Sequence, residues 1–282
     1  MSDFRLPDAT YIAAARFRVR DMERSLAFYR DILGLKATPI SANTMALAAG
    51  TATPIITLVE NKQFVPKPPR STGLYHVAIL TPNRAALGKV LRRLVESTYS
   101  IEGASDHLVS EALYLSDPDG NGLEIYRDRP REEWTYSDGR LQMATEALNL
   151  RALVNDADPT PYTSIPDGTV IGHVHLHVSD LAQAEAFYAE VLGLDVVVRG
   201  YPGALFFSAG GYHHHLGTNT WAGRTLPPQT AVGLDWWDLV VRGAADVVIE
   251  RVRAAGLPIS ISATGAALVA DQDGNHVRIL NG

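Results

Sequence analysis

Apolar and polar residues alternate along "IGHVHLHVSD" (171–180), with Val174, Leu176 and Val178 on one face and His173, His175 and His177 on the other. That two-residue period predicts a β-strand. A longer period marks "DMERSLAFYRDILGL" (21–35), where Met22, Leu26, Tyr29 and Leu33 form one apolar helix face. Asp21 suits an N-cap and Gly34 a C-terminal stop. A strand, "IAAARFRV", precedes this helix, and the alternating segments "TMALAA" and "PIITLVE" follow it. The order then recurs: "YHVAIL", a helix over "NRAALGKVLRRLVES", and "SEALYLSDPDGNGLEIYRD". There the Asp-Gly turn of "DPDGN" joins two strands.

The chain also repeats itself on a larger scale. "DMERSLAFYRDILGL" (21–35) matches "DLAQAEAFYAEVLGL" (180–194), "TGLYHVAIL" (72–80) matches "VGLDWWDLV" (232–240), and "DPDGNGLEIY" (117–126) matches "DQDGNHVRIL" (271–280). Two homologous halves are predicted, 1–130 and 169–282, each with two strand–helix–strands modules. The modules run near 10–62, 72–130, 170–222 and 230–282. "VPKPPRST" (65–72) is a proline-rich connector inside the first half. Residues 131–168 show no strand pattern and are expected to form an interdomain linker with a short helix around 144–153.

Composition narrows the chemistry. With 282 residues, 46% of them hydrophobic, the chain can bury one or two cores. The net charge of −6 and the lack of any basic run longer than "LRRL" argue against nucleic-acid or anionic-membrane partners. No apolar run reaches the roughly 18–20 residues that cross a bilayer. "MSDFRLPDAT" has no secretory pattern, so a cytoplasmic protein is expected. Cysteine is absent, which excludes disulfides, thiolate metal sites and cysteine nucleophiles. Any metal must be held by His, Asp or Glu, a donor set that suits iron, manganese, nickel or zinc.

The three strand histidines cannot all serve one ion. Alternate residues on a strand stand about 6.6–6.8 Å apart, whereas ligands of one ion lie about 3 Å from each other. At most one of His173, His175 and His177 is a ligand.

"SLAFYRDILGL", "GLYHVAIL", "GASDHLVSEALYLSDPDGNGLEIYRDRP", "GTVIGHVHLHVSDL" and "GGYHHHLGTNTWAG" together resemble the vicinal-oxygen-chelate superfamily of glyoxalase I, bleomycin-resistance proteins and extradiol dioxygenases. Within it the chain is similar to bacterial catechol-2,3-dioxygenases. The resemblance implies an α+β fold of two homologous domains, with four βαβββ modules pairing into curved mixed sheets around a metal cavity. It places a ligand near the start of a module's first strand, which selects His173 and, at the same interval before the next helix cap, His76. A third ligand belongs on a module's last strand, where Glu124 stands between Leu123 and Ile125. A buried carboxylate there costs several kcal/mol unless paired or metal-bound. In the other two modules Ala14, Trp236 and Arg278 occupy the places of His173, His76 and Glu124.

His76, Glu124 and His173 would leave three coordination positions open, a set that suits Fe(II), with Mn(II) as the alternative. The resemblance further implies that Tyr114 and His107 line the pocket and that an acid/base histidine lies in "GYHHHLGTN". His214 and His215 both fit its spacing, and His215 is favoured. His175, Asn219 and Trp221 are expected beside the substrate, and His177 to be structural or exposed. The implied activity is extradiol cleavage of a small aromatic diol with O2, in a homo-oligomer. The rivals are a glyoxalase I-like isomerase or lyase and a metal-free binding protein.

Overall fold

The structure, a computed structural model, describes residues 4–50 and 53–282. Module one is β1 (Tyr11–Val19), α1 (Met22–Tyr29), β2 (Lys36–Ser41), β3 (Thr44–Ala48) and β4 (Ile56–Glu60). Module two is β5 (Gly73–Leu80), α2 (Arg84–Glu96), β6 (Gly103–Asp106), β7 (Ser110–Ser116) and β8 (Gly122–Asp128). The intervening segment holds β9 (Tyr136–Ser137), β10 (Arg140–Leu141), β11 (Glu146–Ala147) and α3 (Leu150–Asn155). Module three is β12 (Val170–His177), α4 (Leu181–Glu185) continuing as a π-turn over Ala186–Val191, β13 (Asp195–Val198), β14 (Ala204–Ser208) and β15 (Leu216–Asn219). Module four is β16 (Gly233–Val240), α5 (Ala245–Ala254), β17 (Ile259–Ile261), β18 (Ala267–Ala270) and β19 (His276–Leu280).

The N-cap expected at Asp21 forms, and two further helices are capped in the same way. Asp21 accepts the Arg24 N–H at 3.0 Å, Asn83 that of Ala86 at 2.9 Å, and Asp180 that of Gln183 at 3.0 Å. The segment before the third module departs from expectation. Its helix is capped by Asn149 and begins at Leu150, and β11 extends a sheet by pairing with β6. Strands of two residues are too short for alternation to reveal them.

The sheets cross the two halves of the chain. Modules two and three form one nine-stranded sheet, in the order β11-β6-β7-β8-β5-β12-β15-β14-β13. Modules one and four form an eight-stranded sheet, β17-β18-β19-β16-β1-β4-β3-β2. Each is joined at its middle by antiparallel first strands, β5 with β12 and β1 with β16. Parallel last strands lie outside them, β8 on β5 and β19 on β16. The fold is therefore a mixed α+β arrangement of four βαβββ modules.

Contacts between neighbouring modules hold each half together. Tyr29 on α1 donates to Asp117 in the "DPDGN" turn at 3.0 Å, and Tyr188 donates to Asp271 of "DQDGN" at 2.9 Å. Both carboxylates also accept N–H groups of their own turn, Asp117 from Asp119 and Asn121, Asp271 from Asp273 and Asn275. Arg93 donates through Nε to the Ile32 carbonyl at 3.3 Å, and Arg251 through Nε to that of Val191 at 2.9 Å. The same lock is thus built twice from repeat-equivalent residues.

Removing either tyrosine hydroxyl leaves a buried carboxylate short of a donor. Tyr29→Phe and Tyr188→Phe are each expected to cost about 1–3 kcal/mol in urea unfolding, and midpoints equal to wild type for both would contradict the lock.

Candidate metal centre

Strand register brings the three candidate ligands together. Glu124 on β8 pairs with Ala78 on β5, and Ala78 pairs with His173 on β12. Cross-strand partners share a face, so Glu124, Ala78 and His173 form one row, with His76 two residues along β5. A bulge in the β5–β12 pairing falls between Ile171 and His173, where bulges commonly re-aim the following side chain. Gly172 occupies it, and a Cβ there would come within 1.8 Å of the Tyr126 hydroxyl.

His76 Nε2 stands 3.0 Å, and His173 Nε2 3.3 Å, from the same Glu124 Oε2. All three residues are buried. They form the one cluster of three such donors within 4.8 Å of one another among the described residues. The separations match the roughly 3 Å expected of neighbouring ligands on one ion. His76 Nε2 is buried yet lacks hydrogen-bond geometry to any partner, as does His173 Nδ1. Burial lowers the His173 pKa to about 4 against the opposing pull of Glu124. Burial alone would raise that of Glu124, but His173 and His76 together hold it well below the usual carboxylate range. A neutral His173, an ionised Glu124 and the orphaned Nε2 of His76 beside them fit a divalent cation.

A cavity of about 790 Å³ opens over these residues. Tyr114 lines it from directly opposite Glu124 on β7. The His107 ring faces the Ala144 carbonyl through Nδ1 at 2.6 Å, so Nδ1 carries the proton and Nε2 accepts from the Tyr114 hydroxyl at 2.7 Å. Burial and Glu124 raise the Tyr114 pKa well above its ordinary value, so the phenol stays protonated.

His214 lines the cavity and His215 does not. The His215 Nδ1 instead accepts the Ala209 N–H at 3.3 Å and lies 3.2 Å from Ser208 Oγ. The cavity thus presents His214 where the sequence favoured His215: residues 213–215 bend ahead of β15, where strand alternation does not apply. His214 is held by a chain that the sequence did not disclose. Asp128 accepts His213 Nε2–H at 2.8 Å, which leaves His213 Nδ1 to accept His214 Nδ1–H at 2.7 Å. The free lone pair of His214 is therefore Nε2. Tyr126 and Tyr212 complete the group, with Tyr212 donating to Asp128 at 3.0 Å.

His175 lines the cavity opposite His76, with Asn219 donating to its Nε2 at 3.0 Å. A Cβ on Gly217 would lie 2.9 Å from its ring. His177 also lines the cavity rather than standing apart, and donates through Nδ1 to Asn219 Oδ1 at 2.6 Å. Asn219 thus fixes two imidazoles without lining the cavity itself. Trp221, about half exposed, forms a wall with Tyr75, Tyr201 and Phe206.

The other sheet repeats this register with different side chains. Ala14 pairs with Asp238, Asp238 with Arg278, and Arg16 with Trp236. Arg278 makes two bonds to Asp238 at 2.7 and 2.6 Å. Its guanidinium and that of Arg16 stack on Trp236 at 5.2 and 4.5 Å. An ion pair fills the place of the donor cluster.

A family profile described as "Glyoxalase/Bleomycin resistance protein/Dioxygenase superfamily" matches residues 11–125 and 170–279, the two repeated halves. The chain belongs to that superfamily. Among relatives of this superfamily member, "Catechol-2,3-dioxygenase" of Bacillus subtilis (strain 168) is 48% identical over 258 residues, covering 89% of this chain and 90% of its own. Glyoxalase I from Zea mays shares the fold, with a TM-score of 0.57 at 16% identity over 97% of this chain and 92% of that one. So does the cppA protein of Streptococcus pneumoniae TIGR4, at 0.59 and 13% over 96% and 99%. Among the described residues, no helix is long and apolar enough to cross a membrane.

The crowded imidazoles make a pH prediction. Burial lowers His173, His177 and His215 to about 4, and His175 and His214 well below the ordinary value. Each stays neutral in the fold, whereas the unfolded chain takes up protons below pH about 6.5. Stability is therefore full above about 6.5 and lost towards about 4, by up to about 1.4 kcal/mol per pH unit for each imidazole. Urea midpoints of metal-free protein from pH about 8 down to about 5 should fall steeply at the acid end, and a flat profile would contradict the burial.

Proposed function

We propose that this protein is an Fe(II)-dependent extradiol dioxygenase that opens the ring of a catechol with O2. The observation that carries this reading is the row of His76, Glu124 and His173 on one side of a single cavity, with His214, Tyr114 and His107 around it. Two imidazoles and one carboxylate leave positions for both substrate oxygens and O2. The 48% identity to a catechol-2,3-dioxygenase over most of both chains supports it. A bound iron would supply Lewis acidity toward the diol and an electron route between diol and O2. Mn(II) would fit the same donors.

The chain's own residues handle the protons and the ring. His214 is neutral, lines the cavity and keeps its Nε2 lone pair free, so it would accept a proton from a catechol hydroxyl. The Asp128–His213 chain fixes that tautomer and stabilises the resulting imidazolium. Tyr114 keeps its proton and gives it to His107 Nε2, so its oxygen turns a lone pair toward the cavity and would accept a hydrogen bond from a substrate hydroxyl. Tyr75, Phe206 and Trp221 form the aromatic wall against which the ring is oriented. The glyoxalase I-like reading needs a second carboxylate from module three. Gly217, paired with His175, stands at the position on β15 that Glu124, paired with Ala78, holds on β8.

Protein loaded anaerobically with Fe(II), then given air and a panel of catechol and substituted catechols, should form a yellow ring-cleavage product from at least one of them. His214→Gln should lower kcat about 10²–10⁴-fold, while His215→Gln should change it far less. No yellow product from catechol or its substituted forms would overturn the proposal.

A further inference from the structure

The cavity runs beyond the donor cluster to a cation that the chemistry above does not use. Its rim there is the proline-rich connector 65–72, pinned at both ends to the corresponding connector of the other half. Val65 N–H donates to Thr230 O, Val232 N–H to Val65 O and Thr72 N–H to Thr225 O, each at 2.9 Å. Pro66 and Pro68 flank Lys67 and restrict the backbone around it, so its side chain projects from a fixed base. Aligning Gly73 with Gly233 places Pro227 opposite Lys67 in the repeat. The ammonium is thus particular to the half of the chain that borders the cavity.

Lys67 lines the cavity, and its Nζ donates to the Leu74 carbonyl at 2.8 Å. An ammonium carries three donors, and among the described residues no carboxylate lies within 4.0 Å of this one. Burial lowers its pKa to about 8, with no acid close enough to offset the loss of water. The titratable group that faces it is His177 on β12, whose pKa the ammonium helps to depress. Two other carboxylates border the cavity. Asp119 is engaged by Arg24 and by the Arg20 N–H, and Glu102 lies on the wall where β6 begins.

Position and size indicate what the ammonium meets. Leu74 is two residues along β5 from His76, about 7 Å. A cavity of about 150 Å³ suffices for a benzene ring, and this one is about 790 Å³. A bare catechol on the donor cluster would leave Lys67 facing empty space, at the cost of a half-buried charge without a counter-ion.

We propose that Lys67 binds a carboxylate borne by the ring, so that the substrate is a catechol acid rather than unsubstituted catechol. The proposal rests on the extradiol reading only for placing the diol end at the donor cluster.

The test is equilibrium binding to Fe(II)-loaded protein without O2, followed by tryptophan fluorescence. The probes are catechols with a carboxylate directly on the ring, or one or two methylenes away, each compared with its methyl ester. At least one acid should bind about 10- to 100-fold more tightly than its ester, the span of a charge-assisted hydrogen bond. In Lys67→Met the acid-to-ester ratio should fall to about one, and in Lys67→Arg it should persist. Acids and esters that bind alike throughout the series, or a preference that survives in Lys67→Met, would overturn the assignment. Lys67-dependent acid binding without ring cleavage in air would uphold this site and sink the dioxygenase reading. Ring cleavage with no acid preference would do the reverse.

Discussion

The antiparallel pairing of β5 with β12 is the constraint on which the site depends. It brings first strands from opposite halves of the chain side by side, and β8 then adds in parallel to the outer edge of β5. Glu124 and His173 stand two strand spacings apart, about 9.6 Å, yet their side chains close to 3.3 Å above Ala78. The alanine methyl is small enough to lie beneath that contact. His76 completes the group from the same strand as Ala78. No segment of one half contains this arrangement, and a one-residue slip in the pairing would turn every donor to the opposite face.

The second sheet shows that the fold does not itself need the donors. It has the same antiparallel centre, and a register shift at the equivalent place between Ile12 and Ala14. There the central alanine is replaced by Asp238, and the carboxylate by Arg278. A bidentate ion pair neutralises both charges from within the protein. In the first sheet Ala78 brings no charge, so Glu124 has only imidazoles to answer it. Burying that carboxylate, together with the imidazoles that surround the cavity, costs stability that a close-packed apolar face would not. Such a cost is expected where a surface is arranged for chemistry rather than for packing.

Much of this could be read in the sequence, where period and repeat carried the information. The helix faces, the capping Asp21, and the choice of His173 among three strand histidines all follow from regular spacing and the resemblance it supports. Legibility ended where regular spacing ended. His214 and His215 differ by one position in a turn, so no period assigned one of them to the cavity. The hold of Asp128 and His213 on His214 spans two modules and leaves no local pattern. Lys67 sits in a connector whose prolines signalled only an irregular segment, and its place at the cavity rim comes from bridges to the distant connector of the other half. The two-residue strands and the late start of α3 escaped for a simpler reason, since so few residues carry no periodicity.

One ion shared across the β5–β12 junction would join the two halves of the chain at the site. Anomalous diffraction at the iron edge from Fe(II)-loaded crystals tests it most directly. A single strong peak is expected about 2.0–2.2 Å from His76 Nε2, Glu124 Oε2 and His173 Nε2, with no second peak in the sheet of modules one and four. A peak at any other set of residues, or none in crystals shown to contain stoichiometric iron, would contradict it.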